Sequence, residues 1–173
     1  MQLISISTKY WAVFILAVVI SACGGENIES EQAAVPSETR LSVVTTVSPI
    51  TNIVENIGGT RIRLEGVVPE GVNSHTFEPA PSMARLMAQA DLIILNGLFL
   101  EEPTLALAES NKKSDAVILS LGELAVTPEQ WKFDFSFPEA AGHPNPHLWP
   151  APNLGLSYAR LVPDQLVILD PDN

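Results

Sequence analysis

The sequence is poor in several residue types, and each scarcity removes a class of protein. Among 173 residues there are 1 Cys and 3 His, which excludes an intramolecular disulfide framework and any metal site built from several cysteines. Basic residues are also few, with 9 Lys and Arg against 20 Asp and Glu and a net charge of −11. A chain of this charge offers no basic face to nucleic-acid phosphates, so we expect no nucleic-acid partner.

Long apolar runs are scarce too, and the longest covers residues 10–20. It is too short for a membrane span, which needs roughly 20 residues. It follows a segment with one Lys and no acidic residue, and two small residues separate it from Cys23. This order is typical of an export signal, and the residues before Cys23 resemble a bacterial lipobox. We predict a lipoprotein signal peptide over 1–22 and lipid attachment at Cys23; the alternative is an ordinary secretory signal with an incidental Cys.

Residues 23–40 are polar, acidic and free of aromatic side chains. Such a composition is typical of a flexible tether. A lipid on Cys23 and this tether would hold the folded part at a membrane surface outside the cytoplasm, on the periplasmic face or the cell surface.

From residue 41 onward, apolar β-branched runs alternate with helical patterns. Strands are predicted at 41–47, 61–68, 92–95 and 116–119. Helices are predicted after Ser48, from Pro81, over 102–109 and over 153–168. Pro163 is expected to kink or interrupt the last helix. This alternation predicts an α/β fold with a parallel sheet flanked by helices. Residues 125–146 lack periodicity and are predicted to form a long loop. We divide the folded part into an α/β lobe over 41–150 and a helix with the start of a connection over 151–173.

Two histidines follow strands of this predicted sheet. His75 comes after the second strand, and His147 lies in the loop after the fourth. Because ligands of a parallel sheet bind beyond the carboxyl ends of its strands, the two imidazoles can meet there. Neutral imidazole is a good ligand for zinc and manganese-class ions, but a closed zinc site normally has four ligands. The residues alone therefore allow two interpretations: His75 and His147 form a metal site, or they are ordinary loop histidines.

Longer motifs around both histidines resemble a known family. The segment SHTFEPAPSMARLMAQADLIILNGLFLE, the opening VVTTVSPITNIVENIGG and the motif NPHLW are similar to the zinc/manganese-type solute-binding lipoproteins of bacterial metal ABC importers, also described as adhesin-like or cluster A-I proteins. The resemblance covers residues 41–173. It implies one lobe of a two-lobe periplasmic-binding-protein-like fold, with His75 and His147 as metal ligands.

The resemblance also implies what this chain would do and what it would lack. Family members capture a divalent metal and deliver it to an ABC permease, without turnover and without an organic cofactor; here zinc is the first expectation and manganese the second. Their remaining two ligands come from a second lobe that follows a segment like LDPDN, where this chain reaches Asn173. We therefore expect a truncated or incomplete form; the alternative is a half-protein working with a partner.

Several neighbours of the two histidines have open roles. Glu78 is either a carboxylate that orients His75 or a cap of the helix at Pro81, and His143 is either an auxiliary ligand or a solvated side chain. Asn96 terminates a strand or contacts the loops of the site. The aromatic segment 131–137 anchors the long loop or forms a partner-binding patch, and Phe77 and Trp149 are expected to pack around the site.

Two other functions compete with metal capture. A metal held by two histidines with open positions can activate water, which would make the chain a metal-dependent hydrolase. The sequence contains none of HExxH, a serine nucleophile elbow or GxxxxGK[ST], and we therefore predict that the chain is not an enzyme. A surface adhesin without a transport role is the second alternative.

Overall fold

Four short strands form one parallel sheet in the computed structural model, which describes residues 40–172. The strands are β1 (Leu41–Thr45), β2 (Ile62–Gly66), β3 (Leu92–Leu95) and β4 (Val117–Ser120). Their order in the sheet is β2-β1-β3-β4, and every neighbouring pair is parallel. The predicted fold class is confirmed, and no strand end differs from the prediction by more than two residues.

Between residues 40 and 172, five α-helices connect or follow the strands. They are α1 (Ser48–Gly58), α2 (Ala84–Gln89), α3 (Glu102–Asn111), α4 (Leu121–Ala125) and α5 (Pro152–Leu169). The sequence did not predict α4, which begins directly after β4. The long loop then runs from Val126 to Ala151, with short 3-10 turns at Pro128–Gln130 and Glu139–Ala141.

The sheet is covered on both faces because its strands are apolar on both sides. Val43 and Ile94 belong to one core cluster, whereas Val44 and Ile93 belong to the other, as expected for side chains that alternate along a strand. Helices α1, α4 and α5 pack on the first face, and α2 and α3 pack on the second. This two-sided burial is what βαβ connections produce.

The sequence predicted that Pro163 would kink or interrupt the last helix, and α5 is not interrupted there. The helix runs from Pro152 to Leu169 with Pro163 inside it. A proline in a helix interior costs about 3 kcal/mol. The neighbouring Val162 and Tyr158 are completely buried, and burying one aliphatic side chain contributes about 1.5–3 kcal/mol. Docking of α5 on the core therefore offsets the missing hydrogen bond.

The signal peptide over 1–22, the lipid attachment at Cys23 and the tether up to residue 39 lie outside the described residues. The division of the chain into a tether, a lobe over 41–150 and a terminal segment over 151–173 stays a prediction, although α5 packs on the same sheet as the lobe. Between residues 40 and 172, no helix has the length and apolar character needed to cross a membrane.

A candidate metal site at the carboxyl edge of the sheet

The strand order reverses between β1 and β3, and ligands of parallel α/β sheets bind at such a point, beyond the carboxyl ends of the strands. His75 lies in a 3-10 turn, Ser74–Thr76, in the loop after β2, and His147 lies in the loop that leads into α5. The structure brings the two imidazoles together: their Nε2 atoms are 3.1 Å apart and their ring centroids 5.0 Å.

This separation suits two ligands of one ion. Two nitrogens bound to one tetrahedral zinc at about 2.0–2.1 Å are about 3.3 Å from each other, close to the observed 3.1 Å. Within residues 40–172 there is no group of three or more His, Cys, Asp and Glu side chains that could hold a metal. The described residues thus offer a two-imidazole set, and an ion bound there would keep coordination positions open for other donors.

His147 is held in the orientation that a metal ligand needs. Its Nδ1 lies 2.8 Å from Oδ1 of Asn145, and the same oxygen accepts the backbone N–H of His147 at 2.9 Å. Since an amide oxygen only accepts, Nδ1 carries the proton and Nε2 presents its lone pair towards His75. Burial, with a smaller effect of His75, lowers the pKa of His147, which favours the neutral ring that binds metals.

Asn145 is itself held by a carboxylate. Its Nδ2 donates to Oδ2 of Asp134 at 2.6 Å, which leaves its amide oxygen for His147. The other oxygen of Asp134 accepts the backbone N–H groups of Ser136 and Phe137 at 2.8 and 3.0 Å. The hydrogen bond from Asn145 is the main cause that holds the pKa of the Asp134 carboxyl below its ordinary value.

His75 has far less support. Its backbone N–H donates to Oδ1 of Asn73 at 3.0 Å, and its side chain is exposed. In the described part of the chain, its ring makes one hydrogen bond, to His147. The Phe137 ring lies 5.6 Å from the His75 ring, so the imidazole is packed on one side and open to solvent on the other.

Aromatic rings border both imidazoles. Phe137 lies 5.7 Å from His147, and Trp149 meets His147 edge-on at 5.2 Å. Phe77 and Trp131 are half-buried against the core. These contacts agree with the expected packing role of Phe77 and Trp149, and with the expectation that segment 131–137 anchors the long loop.

Asn96 both ends β3 and contacts the loop of the site. Its Nδ2 donates to the carbonyl oxygen of Pro146 at 3.0 Å, next to His147. Its Oδ1 accepts the hydroxyl of Tyr158 from α5 at 2.8 Å. Both residues are completely buried, and burial raises the pKa of Tyr158. Asn96 is among the residues predicted from the sequence and Tyr158 is not, although the position of Tyr158 on the buried side of α5 was an available signal.

Glu78 and His143, the two auxiliary candidates, make no hydrogen bond to the imidazole pair in the described part of the chain. Glu78 is exposed, and within residues 40–172 it has no hydrogen bond to His75 and does not cap the turn at Pro81. His143 is exposed and stacks on Phe99, with the rings 4.1 Å apart. Their proposed roles at the site stay predictions.

The loop after β3 has an unusual backbone that the sequence analysis did not predict. Gly97, Leu98 and Phe99 all have positive φ, at 81°, 51° and 66°, a conformation that costs energy for residues with a side chain. Glu101, only 4% exposed, accepts the backbone N–H groups of Asn96 and Gly97 at 2.9 and 3.0 Å, and Glu123 accepts that of Leu98 at 2.7 Å. Two carboxylates therefore hold the loop in place.

Relatives of known type share this fold and sequence. The chain is 31% identical over 159 residues to the metal ABC transporter substrate-binding lipoprotein FimA of Streptococcus parasanguinis, covering 92% of this chain and 52% of that protein. It is 33% identical over 137 residues to the manganese ABC transporter substrate-binding lipoprotein PsaA of Streptococcus pneumoniae, covering 79% and 44%. The Cd-bound periplasmic metal binding protein of Candidatus Liberibacter asiaticus superimposes with a TM-score of 0.65 at 28% identity, covering 78% and 47%.

These likenesses define the class: the chain has the fold of periplasmic metal-binding proteins. That fold has two lobes, and the described sheet and helices form one of them. The family model of ZnuA, the zinc-uptake complex component A periplasmic, matches residues 43–173, and the chain belongs to this family. The chain spans about half the length of the curated relatives it matches.

Proposed function

We propose that this chain captures a divalent transition metal, zinc or manganese, through the Nε2 atoms of His75 and His147 and passes it on to a membrane importer. The observation that carries the proposal is the separation of 3.1 Å between these two nitrogens, at the edge of the sheet where parallel α/β folds bind ligands. Relatives named for manganese binding and a Cd-bound structure of similar fold support a transition metal as the cargo.

The mechanism is binding without turnover. The Asn145 amide keeps the proton of His147 on Nδ1, so the Nε2 lone pair is available to an incoming ion without a change of tautomer. His75 supplies the second nitrogen from an exposed loop. Because two ligands leave the coordination sphere open, water or donors from elsewhere would complete it, and we expect weaker binding than at a four-ligand site.

The family supports a partner and a location for this chain. Relatives are named as substrate-binding lipoproteins of ABC transporters, which supports an ABC permease as the recipient of the metal. The same names, together with the lipobox-like sequence before Cys23, support an extracytoplasmic protein anchored in a membrane by a lipid. The hydrolase and adhesin alternatives gain no support from the geometry or from these names.

Alanine substitution of each histidine tests the proposal. We expect His75→Ala and His147→Ala each to weaken zinc and manganese binding by more than the roughly 10–100-fold that the loss of a supporting residue costs. His143→Ala is the matched control, since His143 is an exposed imidazole in the same loop that stacks on Phe99 instead. Titration calorimetry on the full chain with each metal gives the affinities.

The control separates specific binding from adventitious binding by any imidazole. If His143→Ala weakened binding as much as His147→Ala, the pair would not be the site. If neither His75→Ala nor His147→Ala changed the affinity, metal capture at this edge of the sheet would be contradicted.

A further inference from the structure

Asp134 connects two parts of the long loop that meet at the imidazole pair. Its Oδ1 accepts the N–H groups of Ser136 and Phe137, and its Oδ2 accepts Nδ2 of Asn145. A backbone bond of 2.8 Å from Asn145 to the carbonyl of Lys132 ties the same two segments. One exposed carboxylate therefore organises residues that are separate in the sequence.

We propose that Asp134 is a positioning residue that sets the proton of His147: it fixes the orientation of the Asn145 amide, and that amide keeps the proton on Nδ1 and Nε2 free for metal. The inference rests on the proposed function for its link to metal affinity. Its structural part, the control of a tautomer, is observable without any metal.

The physical reason is the polarity of the amide. Asn145 presents an oxygen on one side and an NH2 group on the other, and two contacts select which side faces His147: the backbone N–H of His147, which donates to the oxygen, and the group that meets the far side of the amide. A carboxylate accepts only, so Asp134 selects the orientation in which the NH2 group points away from His147 and the oxygen faces Nδ1. Metal-ligating histidines are commonly oriented by such partners, whose loss costs about 10–100-fold in affinity.

Asp134 also places one wall of the site. The turn that it closes with Ser136 and Phe137 includes a second bond, from the Asp134 N–H to the Phe137 carbonyl at 2.9 Å. The Phe137 ring lies 5.6 and 5.7 Å from the rings of His75 and His147. The two oxygens of one carboxylate thus act on the protonation of one imidazole and on the packing of both.

Asp134→Asn separates these two effects. The oxygen of the new amide can still accept the N–H groups of Ser136 and Phe137, which keeps the turn. Its NH2 group would then face the NH2 group of Asn145, and two donors repel. Rotation of the Asn145 amide relieves this conflict but gives up the bond from the backbone N–H of His147. It turns an NH2 group towards Nδ1 of His147 and favours the proton on Nε2.

The double variant Asp134→Asn with Asn145→Asp restores the pattern with the same net charge. The asparagine at 134 donates to one oxygen of the aspartate at 145, and the other oxygen accepts Nδ1–H of His147. Glu139→Gln is the control for charge alone, because Glu139 is an exposed acid of the same loop without a bond to Asn145.

Two measurements test the inference. Long-range 15N–1H NMR of the metal-free full chain is expected to show the Nδ1–H tautomer of His147 in the wild type, the Glu139→Gln control and the double variant, and a shift towards Nε2–H in Asp134→Asn. Zinc affinity is expected to fall about 10–100-fold in Asp134→Asn and to return in the double variant.

The outcomes distinguish this inference from the proposed function. An unchanged His147 tautomer in Asp134→Asn would overturn the positioning role, whatever the zinc affinity. A tautomer shift in a chain that binds no zinc would contradict metal capture and leave the positioning role standing. An affinity loss that the double variant does not recover would overturn the link between the Asn145 amide and zinc affinity.

Discussion

The two loops that carry the histidines differ sharply in how firmly they are held. Around His147, Asn145 and Asp134 fix the ring, and Asn96 holds the adjacent Pro146 carbonyl from the buried end of β3. Around His75, the exposed Asn73 accepts the backbone N–H, and among the described residues the ring itself has a hydrogen bond only to His147. One half of the imidazole pair is built into the fold, whereas the other half sits on the surface.

In the proposed metal capture, this difference would give the two histidines different roles. A ligand that is already oriented loses little conformational freedom when the ion arrives, which favours affinity. A ligand on an exposed loop can move aside, which favours entry and release of a cargo. The pair therefore suits a carrier better than a permanent structural site, in which all ligands are normally enclosed.

The largest expected difference between the two loops is in stability. Asn96→Ala removes the bond to Pro146 and leaves the completely buried Tyr158 hydroxyl without its acceptor. We expect a loss of about 2–4 kcal/mol in the free energy of unfolding, from an unpaired buried donor and a lost hydrogen bond. Asn73→Ala, at an exposed position, is expected to stay within about 0.5 kcal/mol of the wild type.

Urea unfolding of both variants, followed by circular dichroism, measures the two losses. Equal losses would mean that the loop of His75 is as firmly built as the loop of His147, and the contrast between them would fail. An unchanged m-value in both variants is needed for the comparison, because it shows that each variant unfolds from an equally compact state.

A smaller loss is expected for Tyr158→Phe, which keeps the ring in the core and removes the hydroxyl alone. The buried Oδ1 of Asn96 then lacks its donor, which costs about 1–3 kcal/mol, while the Asn96 amide keeps its bond to Pro146. In the double variant with Asn96→Ala both partners are gone. We expect it to be no less stable than Asn96→Ala alone, and a strictly additive loss in urea unfolding would refute the bond between them.

The parts of this molecule that follow local rules could be predicted from the sequence. The apolar run at 92–95 gave β3 at its observed bounds, because four buried β-forming residues between polar ones leave little choice. The parallel sheet in turn placed His75 and His147 at one edge, since all strands of such a sheet end on the same side. The histidines met for reasons of topology and needed no side-chain detail.

The support of the site could not be predicted in the same way. Asp134 and Asn145 meet through a loop without periodicity, and no sequence rule gives the contact between them. Glu101 precedes the helix predicted over 102–109 and had no predicted role, yet it is buried and accepts three hydrogen bonds. The positive φ values of Leu98 and Phe99 are likewise set by these tertiary bonds and not by the residues that adopt them.

The smallest expected effect is a pH dependence that belongs to Glu101. Burial raises the pKa of its carboxyl above the ordinary 4.5, despite the bonds from Thr46, Asn96 and Gly97. A raised pKa means that the folded chain holds this proton more tightly than the unfolded chain. Its contribution to stability is therefore present in full below pH 4.5 and is lost as the pH rises through the folded value.

Glu101→Gln removes the titration and can be compared with Glu102→Gln, an exposed neighbour in the first turn of α3. At neutral pH we expect Glu101→Gln to cost about 1–3 kcal/mol, since its NH2 group would face the Gly97 N–H. The difference in free energy of unfolding between the wild type and Glu101→Gln should be larger at pH 4.5 than at pH 7. The reason is that only the wild type carries the Glu101 contribution, which is lost as the pH rises. Urea unfolding across this range measures this difference, and a difference that grew with rising pH would mean that the buried carboxylate is stabilised in its charged form by the loop it holds.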